Sequence, residues 1–121
     1  MKTLRWITVV LLLFMVTLPM QVCGGEKAVA KPLVIDVRTE PEWKEGHLEG
    51  AIRIPYEKIG EEIEKAAPDK KAKIILYCRS GRRSGIALDT LRKLGYEDVT
   101  NLINADEASG KLKIPIIKGD K

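Results

Sequence analysis

The sequence predicts an α/β protein built on a small, mainly parallel sheet flanked by helices. Short apolar runs rich in β-branched residues alternate along the chain with amphipathic segments of helical period. A length of 121 residues is enough for one domain and too short for two. Strands that alternate with helices inside one domain are typical of parallel strands joined by helical crossovers.

The first predicted strand is the apolar run Leu33 to Val37, which contains Asp36. A short helix is expected to begin near Pro41, because proline is tolerated in the first turn of a helix. Gly46 and Gly50 are expected to end it. Asp36 is a polar residue near the end of an apolar strand, which indicates a structural or functional role for its carboxylate.

The middle of the chain predicts a brief strand followed by a helix. The segment AIRIP, residues 51–55, is long enough only for a short strand. Residues 56–66 have helical period, with charged residues on the opposite face, and Pro68 is expected to end this helix. The predicted apolar face of the helix consists of Ile59, Ile63 and Ala66.

A strand, a turn and a second helix are predicted from Lys73 to Gly95, and a last strand from Asp98 to Ile103. Gly95 suits the end of the helix. The residues expected on the apolar face of this helix are Ile86, Ala87, Leu91 and Leu94. Ligands of parallel sheets bind beyond the carboxyl ends of the strands, so the turn after the strand Ile74 to Tyr77 is the natural place for a site.

Cys78 lies in that turn, at the junction of strand and helix. The backbone N–H groups of such a turn and the positive end of the helix dipole form a cradle for an anion. Gly81 and Gly85 are expected to let the chain curl and bring these amides close to the sulfur. A thiol in this cradle, near Arg79, Arg82 and Arg83, should ionise readily, and the thiolate is the nucleophile. The alternative is an inert buried cysteine beside a solvated basic turn.

The N-terminus predicts a signal peptide, so we expect residues 1–30 to be a signal and short linker and residues 31–121 to be the domain. Lys2 and Arg5 precede a charge-free apolar stretch from Ile7 to Met20, whereas a membrane-spanning helix needs about 20 apolar residues. Cleavage is expected at about 24–30, and the protein is expected to be periplasmic or secreted. The alternatives are lipidation at Cys23 and an uncleaved anchor that faces outward.

Composition excludes several classes of function. The formal net charge of +4 is modest, and no basic run alternates with aromatic residues, so nucleic-acid binding has no specific support. One cysteine and one histidine after the signal do not make a zinc site, so no metal or other cofactor is expected. Cys78 alone cannot form an internal disulfide, which leaves an inert thiol, an intermolecular disulfide or a free reactive thiol.

The segments VIDVRTEPEWKEGHLEGAIRIP, LYCRSGRRSG and LRKLGYEDV together resemble the single-domain rhodaneses, in the compact secreted form that is phage-shock-protein-E-like. The resemblance covers about Leu33 to Leu102. It implies a rhodanese-like fold and a thiosulfate sulfurtransferase. Such an enzyme takes sulfane sulfur from a donor such as thiosulfate, holds it as a persulfide and passes it to cyanide or another thiophilic acceptor. A monomer with these small-molecule partners is expected, with membrane contact only through an uncleaved signal.

The resemblance assigns roles to individual residues. Cys78 matches the nucleophile, and Asp36 and Arg38 match a supporting element, in which Asp36 ties neighbouring backbone together. His47 falls in a stretch of the family pattern, and a lone histidine there is expected to be a hydrogen-bonded structural residue, with a catalytic base as the alternative. The residues expected to bind the substrate are Arg79, Ser80, Gly81, Arg82, Arg83 and Ser84. Arg79 and Arg83 match anion-handling positions, and Arg82 is expected to be a solvated neighbour.

The position of one arginine separates this chain from other cysteine enzymes, and its C-terminal segment separates it from the family pattern. Cysteine phosphatases and arsenate reductases place their arginine one position later than Arg83, where this chain has Ser84, which disfavours both. A non-turnover sulfur carrier or binding module shares every loop residue with the enzyme and stays open. Where the family pattern has a Gly-Gly turn that leads into an aromatic residue or leucine, this chain has the segment Asn101 to Lys121, so one wall of the pocket is expected to differ.

Overall fold

The computed structural model describes residues 31–120 of the chain, so the predicted signal peptide and Cys23 lie outside the described residues. The described part contains six strands and four helices. The strands are β1 (Leu33–Asp36), β2 (His47–Leu48), β3 (Ile52–Arg53), β4 (Ile74–Cys78), β5 (Val99–Asn104) and β6 (Ile116–Ile117). The helices are α1 (Glu40–Glu45), α2 (Ile59–Ala66), α3 (Arg82–Lys93) and α4 (Ala105–Leu112).

The predicted fold class is confirmed, since four of the strands form a parallel sheet in the order β3-β1-β4-β5. Their carboxyl ends therefore meet at one edge, where Asp36, Arg53 and Cys78 end their strands. A separate antiparallel ribbon joins β2 to β6, with His47 opposite Ile117. This ribbon was not expected from the sequence, because strands of two residues carry no readable period.

Both faces of the sheet are buried, because neighbouring residues of a strand point to opposite sides. Ile35 and Leu76 pack with α2 and α3 in one apolar cluster. Val34 and Ile75 pack in a second cluster with Leu102 and residues of β2 and α4. The sheet is thus the middle layer of three, and its carboxyl edge is held from both sides.

The ends of the predicted helices are confirmed, with α2 stopping before Pro68 and Gly95 following α3 with a φ of 95°. Two predicted apolar faces need correction. Ala66 is exposed, and Ala67, one residue later, is buried in its place. Ala87 and Leu91 of α3 are buried, whereas Ile86 and Leu94, the residue that follows α3, are 41% and 38% exposed.

The exposed residues of α3 reflect how few elements cover the helix. The sheet and α2 contact one side, where Leu91 packs, and solvent covers the rest. A helix packed on one side buries a narrower stripe than periodicity alone suggests. Among residues 31–120, no helix has the length and apolar character needed to cross a membrane.

Candidate active site

Cys78 is the last residue of β4, and the chain turns through three residues before α3 begins at Arg82. Gly81 makes the turn possible, since its φ of 89° lies in the left-handed region that favours glycine. A Cβ on Gly81 would also come within 3.3 Å of the Ile103 side chain. Gly85 was expected in the curl but lies in the first turn of α3, where its N–H donates to the carbonyl of Gly81.

Hydrogen bonds converge on the sulfur from this turn. The backbone N–H of Gly81 lies 3.0 Å from Cys78 Sγ, and the hydroxyl of Ser84 lies 3.3 Å from it. Burial raises the pKa of the Cys78 thiol, but hydrogen bonds from the Ser84 hydroxyl and from nearby backbone N–H groups outweigh it. The net pKa therefore lies below its ordinary value of 9.0. The thiolate is favoured by aligned donors.

The arginines of the turn differ from the sequence prediction in their exposure and in their partners. Arg79 and Arg82 are exposed, so solvent screens their charges. Arg83 was expected to face an incoming anion, but its guanidinium is bound by Glu42 of α1, with N–O distances of 2.8 and 2.9 Å. This is the bidentate geometry in which arginine binds a carboxylate most strongly. The cation expected to receive the substrate already has an internal partner.

Glu42 was not identified from the sequence as a site residue. Its side chain and that of Arg83 are each about four-fifths buried, at 19% and 20% exposure. The hydrogen bond from Arg83 lowers the pKa of Glu42 to about 2. The carboxylate therefore stays charged at any ordinary pH, and α1 is joined to the start of α3 by a permanent ion pair.

Asn101 of β5 is the second residue that sequence reasoning missed. Its Oδ1 accepts hydrogen bonds from the Ser84 hydroxyl at 2.7 Å and from the Ile103 N–H at 2.9 Å. Its Nδ2 donates to the Gly81 carbonyl at 3.1 Å. One side chain thus binds both Gly81 of the turn and Ser84 of α3, two residues that donate to the sulfur.

A β-bulge brings Asn101 into this position. Leu76 pairs with Asn101, but Cys78 pairs with Asn104, so β5 carries one extra residue beside the cysteine. Within the bulge Ile103 has a φ of 69°, a left-handed conformation that is rare for a β-branched residue. The backbone at Ile103 is therefore strained, within the segment expected to depart from the family pattern.

Asp36 and Arg38 form a buried pair at the end of β1. The carboxylate of Asp36 accepts from the backbone N–H, Nε and Nη2 of Arg38, at distances from 2.7 to 3.0 Å. Arg38 Nη2 also donates to the carbonyl of Gly46 at 2.6 Å. Asp36 is fully buried and Arg38 nearly so. The pair ties β1 to the segment after α1.

His47 is fully buried beside this pair. Its Nδ1 donates to the carbonyl of Trp43 at 2.8 Å, and its ring stacks on the indole at 3.5 Å with an interplanar angle of 6°. These contacts are those of a residue that shapes the chain after α1.

A cavity of about 240 Å³ opens next to the ion pair of Arg83. It is smaller than the cavities that hold drug-sized ligands, so it suits a small molecule. Arg53, at the end of β3, is a further cation in its wall. Its lining residues are Val37, Arg38, Thr39, Glu40, Arg53, Pro55, Tyr56, Glu57 and Arg83. In the range 31–120, no cluster of His, Cys, Asp or Glu side chains could hold a metal ion.

The sequence is similar to those of known proteins. The family model described as Rhodanese-like domain matches residues 25–105. The thiosulfate sulfurtransferase PspE of Escherichia coli (strain K12) is 39% identical over 88 residues, covering 70% of this chain and 78% of that protein. The putative mitochondrial thiosulfate sulfurtransferase of Schizosaccharomyces pombe is 38% identical over 89 residues, covering 64% of this chain and 60% of that protein.

Similarity extends to solved structures. One described as a rhodanese with anions from E. coli superimposes with a TM-score of 0.67 at 35% identity. The superposition covers 74% of this chain and all of that one.

Proposed function

This chain belongs to the rhodanese-like domain family, and from that membership we propose that it is a thiosulfate sulfurtransferase that works through a persulfide on Cys78. The names of its relatives in E. coli and S. pombe support sulfur transfer of the rhodanese type. The observation that carries the proposal is the convergence of donors from Gly81 and Ser84 on the buried sulfur. Such a site both generates a thiolate and accepts a charged product.

The first half-reaction loads the enzyme. The Cys78 thiolate attacks the outer sulfur of thiosulfate, a new S–S bond forms to Sγ, and the S–S bond of thiosulfate breaks. Sulfite leaves with the electron pair of that bond. One monoanion and one dianion give a persulfide monoanion and a sulfite dianion, so atoms and charge balance without an added oxidant or reductant.

The second half-reaction unloads the outer sulfur. A thiophilic acceptor such as cyanide attacks it, thiocyanate forms, and the electron pair of the S–S bond returns to Sγ as a thiolate. A thiol acceptor would take the sulfur in the same way. In both halves negative charge appears or disappears on Sγ, where the N–H of Gly81 and the hydroxyl of Ser84 stabilise it.

The turn also offers a place for the anionic part of the donor. It leads directly into the N-terminus of α3, where the backbone N–H groups of the first turn and the helix dipole favour negative charge. The similar E. coli structure is described as a rhodanese with anions, which supports an anionic ligand for the proposed site without giving its position. Arg79 and Arg83 are proposed to attract the donor, with Arg83 still bound to Glu42 when the donor arrives.

We also propose that the protein is exported, on the strength of the charged start and short apolar stretch before residue 21. Cell fractionation of a bacterial host followed by intact-mass measurement is expected to find a chain outside the cytoplasmic membrane that lacks about the first 24–30 residues. A full-length chain that fractionates with the membrane would support the anchor instead.

The test of function is incubation with thiosulfate, followed by intact-mass measurement and a thiocyanate assay with cyanide. The protein is expected to gain one sulfur atom and to form thiocyanate. Cys78→Ser should lose both properties, while the matched control Cys23→Ser should keep both. An adduct without turnover would indicate a sulfur carrier, and turnover by Cys78→Ser would contradict the assignment.

A further inference from the structure

Ser84 has one hydroxyl proton and two acceptors within reach. Cys78 Sγ lies 3.3 Å from its oxygen, and Asn101 Oδ1 lies 2.7 Å from it. The Ser84 residue is fully buried, so water does not supply a second donor at this position. Because a hydroxyl donates one hydrogen bond, a strong bond to one acceptor weakens the bond to the other.

The amide of Asn101 is held in one orientation. The backbone N–H of Ile103 faces Oδ1 at 2.9 Å, and the carbonyl of Gly81 faces Nδ2 at 3.1 Å. A flipped amide would set two donors against each other at Ile103 and two acceptors against each other at Gly81. Asn101 therefore presents an oxygen to Ser84 and competes with the sulfur for its proton.

We propose that Asn101 is a positioning residue that sets how far the Ser84 hydroxyl is available to the sulfur of Cys78. When Sγ is a neutral thiol, the Ser84 hydroxyl donates its hydrogen bond to Asn101 Oδ1, which is the nearer acceptor. When Sγ is a thiolate, the hydroxyl turns to the charged sulfur, because hydrogen bonds to charged acceptors are the stronger ones. The inference deepens the proposed function, in which Cys78 is the nucleophile.

This exchange follows the proposed reaction cycle. In the persulfide the charge lies on the outer sulfur, so Sγ is neutral and the Ser84 hydroxyl donates to Asn101. When the acceptor removes the outer sulfur, charge returns to Sγ and the hydroxyl turns back. Ser84 thus stabilises the leaving thiolate as it forms. The stronger the hydrogen bond from Ser84 to Asn101, the smaller this stabilisation becomes.

Other charged groups around the sulfur stay constant when Asn101 is changed. Arg83 interacts electrostatically with Cys78 and Asp36, and it is bound to Glu42 of α1. The Asp36 carboxylate is bound to Arg38. The remaining charged side chains on the turn and on the first turn of α4 are exposed, and they are Arg79, Arg82, Asp106 and Glu107. A change at Asn101 also frees the Gly81 carbonyl, so the shared hydrogen bond is measured by the difference between the Asn101 shifts with and without Ser84.

The experiment measures the rate of Cys78 alkylation by iodoacetamide against pH, quantified on the Cys78 peptide by mass spectrometry so that Cys23 does not contribute. Asn101→Leu removes the competing oxygen and should shift the midpoint down by about 0.5–1 pH unit, on the order of a threefold to tenfold larger thiolate fraction. Ser84→Ala should shift the midpoint up. In the double variant, Asn101→Leu should produce no downward shift. Thr100→Val, an exposed neighbour on β5, is the control and should leave the midpoint unchanged.

An upward shift in Asn101→Leu, or the same downward shift with and without Ser84, would overturn the proposal. If Asn101→Leu does not fold, Asn101→Asp replaces it, since a carboxylate is a stronger competitor. Its upward shift should then be larger with Ser84 present than in the Ser84→Ala background, and equal shifts would contradict the inference. Alkylation needs no sulfur donor, so a failure of sulfur transfer and a failure of this inference give different results.

Discussion

Glu42 binds both terminal nitrogens of Arg83, at 2.8 and 2.9 Å, across forty-one positions of sequence. This contact joins the segment after β1 to the first turn of α3, next to the sulfur. In the proposed reaction, a dianionic donor that approaches Arg83 would also meet this carboxylate. We therefore expect two opposed effects of Glu42, which joins α1 to the start of α3 and repels the donor.

Glu42→Gln should lower the KM for thiosulfate on the order of threefold to tenfold, because the negative charge that competes for Arg83 is removed. Steady-state kinetics at low salt measure this. Glu97→Gln, which removes an exposed carboxylate away from the ion pair, is the matched control and should change KM little. A higher KM in Glu42→Gln would mean that orienting Arg83 matters more than freeing it.

The same substitution should cost stability in a pH-dependent way. The pKa of Glu42 is lowered from 4.5 to about 2 by the hydrogen bond from Arg83, so its contribution is complete above about pH 4.5 and is lost as pH falls through about 2. At pH 7 we expect Glu42→Gln to lose about 1.5–3 kcal/mol in urea unfolding. The difference from the parent protein should vanish near pH 2, and a difference independent of pH would exclude the ion pair as its cause.

The three arginines of the turn should differ in salt dependence. Arg83→Ala is expected to reduce kcat/KM for thiosulfate on the order of tenfold to a hundredfold, because it removes a charge-assisted contact of about 1.5–3 kcal/mol. Arg79→Ala removes an exposed charge, so its defect is expected to shrink as salt is added. Arg82→Ala should cost much less, and its defect should fade as salt is added. Kinetics at low and high ionic strength test this. Three equal defects that salt erases would mean general attraction without a specific contact.

Asp36→Asn should be among the most damaging changes outside the turn. The substitution leaves Arg38 buried without its counter-ion, and breaking a buried pair in this way costs about 3–5 kcal/mol. Urea unfolding measures the loss, with Asp89→Asn on the exposed side of α3 as the matched control. The guanidinium of Arg38 also lies 5.5 Å from the centre of the Tyr77 ring. A loss as small as that of the control would show that this ring and the Gly46 carbonyl suffice to satisfy Arg38.

Ile103→Asn should raise stability by about 1 kcal/mol. Asparagine tolerates the left-handed backbone that isoleucine adopts there at a cost, and the side chain is 41% exposed, so little packing is lost. Ile86→Asn is a matched control, since Ile86 is equally exposed but has a helical backbone. Thermal unfolding of both variants measures the difference. Equal destabilisation would mean that contact with Gly81 outweighs the strain.

The features that sequence predicted best were those with a local cause. A β-branched run predicted β4, and the glycine and arginine pattern after it predicted the turn around Cys78. Glu42 and Asn101 could not be found this way. Glu42 belongs to an acidic segment like others on the surface, and its pairing with Arg83 depends on how α1 is placed over the sheet edge. Asn101 reaches the loop only because of the bulge in β5, which leaves no pattern in the residues.

The fold of the C-terminal part was also hidden for a physical reason. Helix α4 buries a single fully enclosed alanine, Ala108, so its apolar period is weak. Its start is set by Asn104, whose side chain accepts from the N–H of Glu107 at 2.8 Å. Beyond it, β6 is recognisable only through its partner β2.

The β2–β6 ribbon has a consequence for the order of folding. His47 pairs with Ile117, so the ribbon closes only when nearly the whole chain is available. Such distant pairing is slow, because the entropy of closing a long loop is lost before any contact compensates for it. The parallel sheet around β4 involves shorter separations and can form first. During biosynthesis, we therefore expect the segment that supplies the Gly46 carbonyl to Arg38 to be among the last to become fixed. In a nascent chain stalled before β6, the turn around Cys78 would form while this segment is still unpaired.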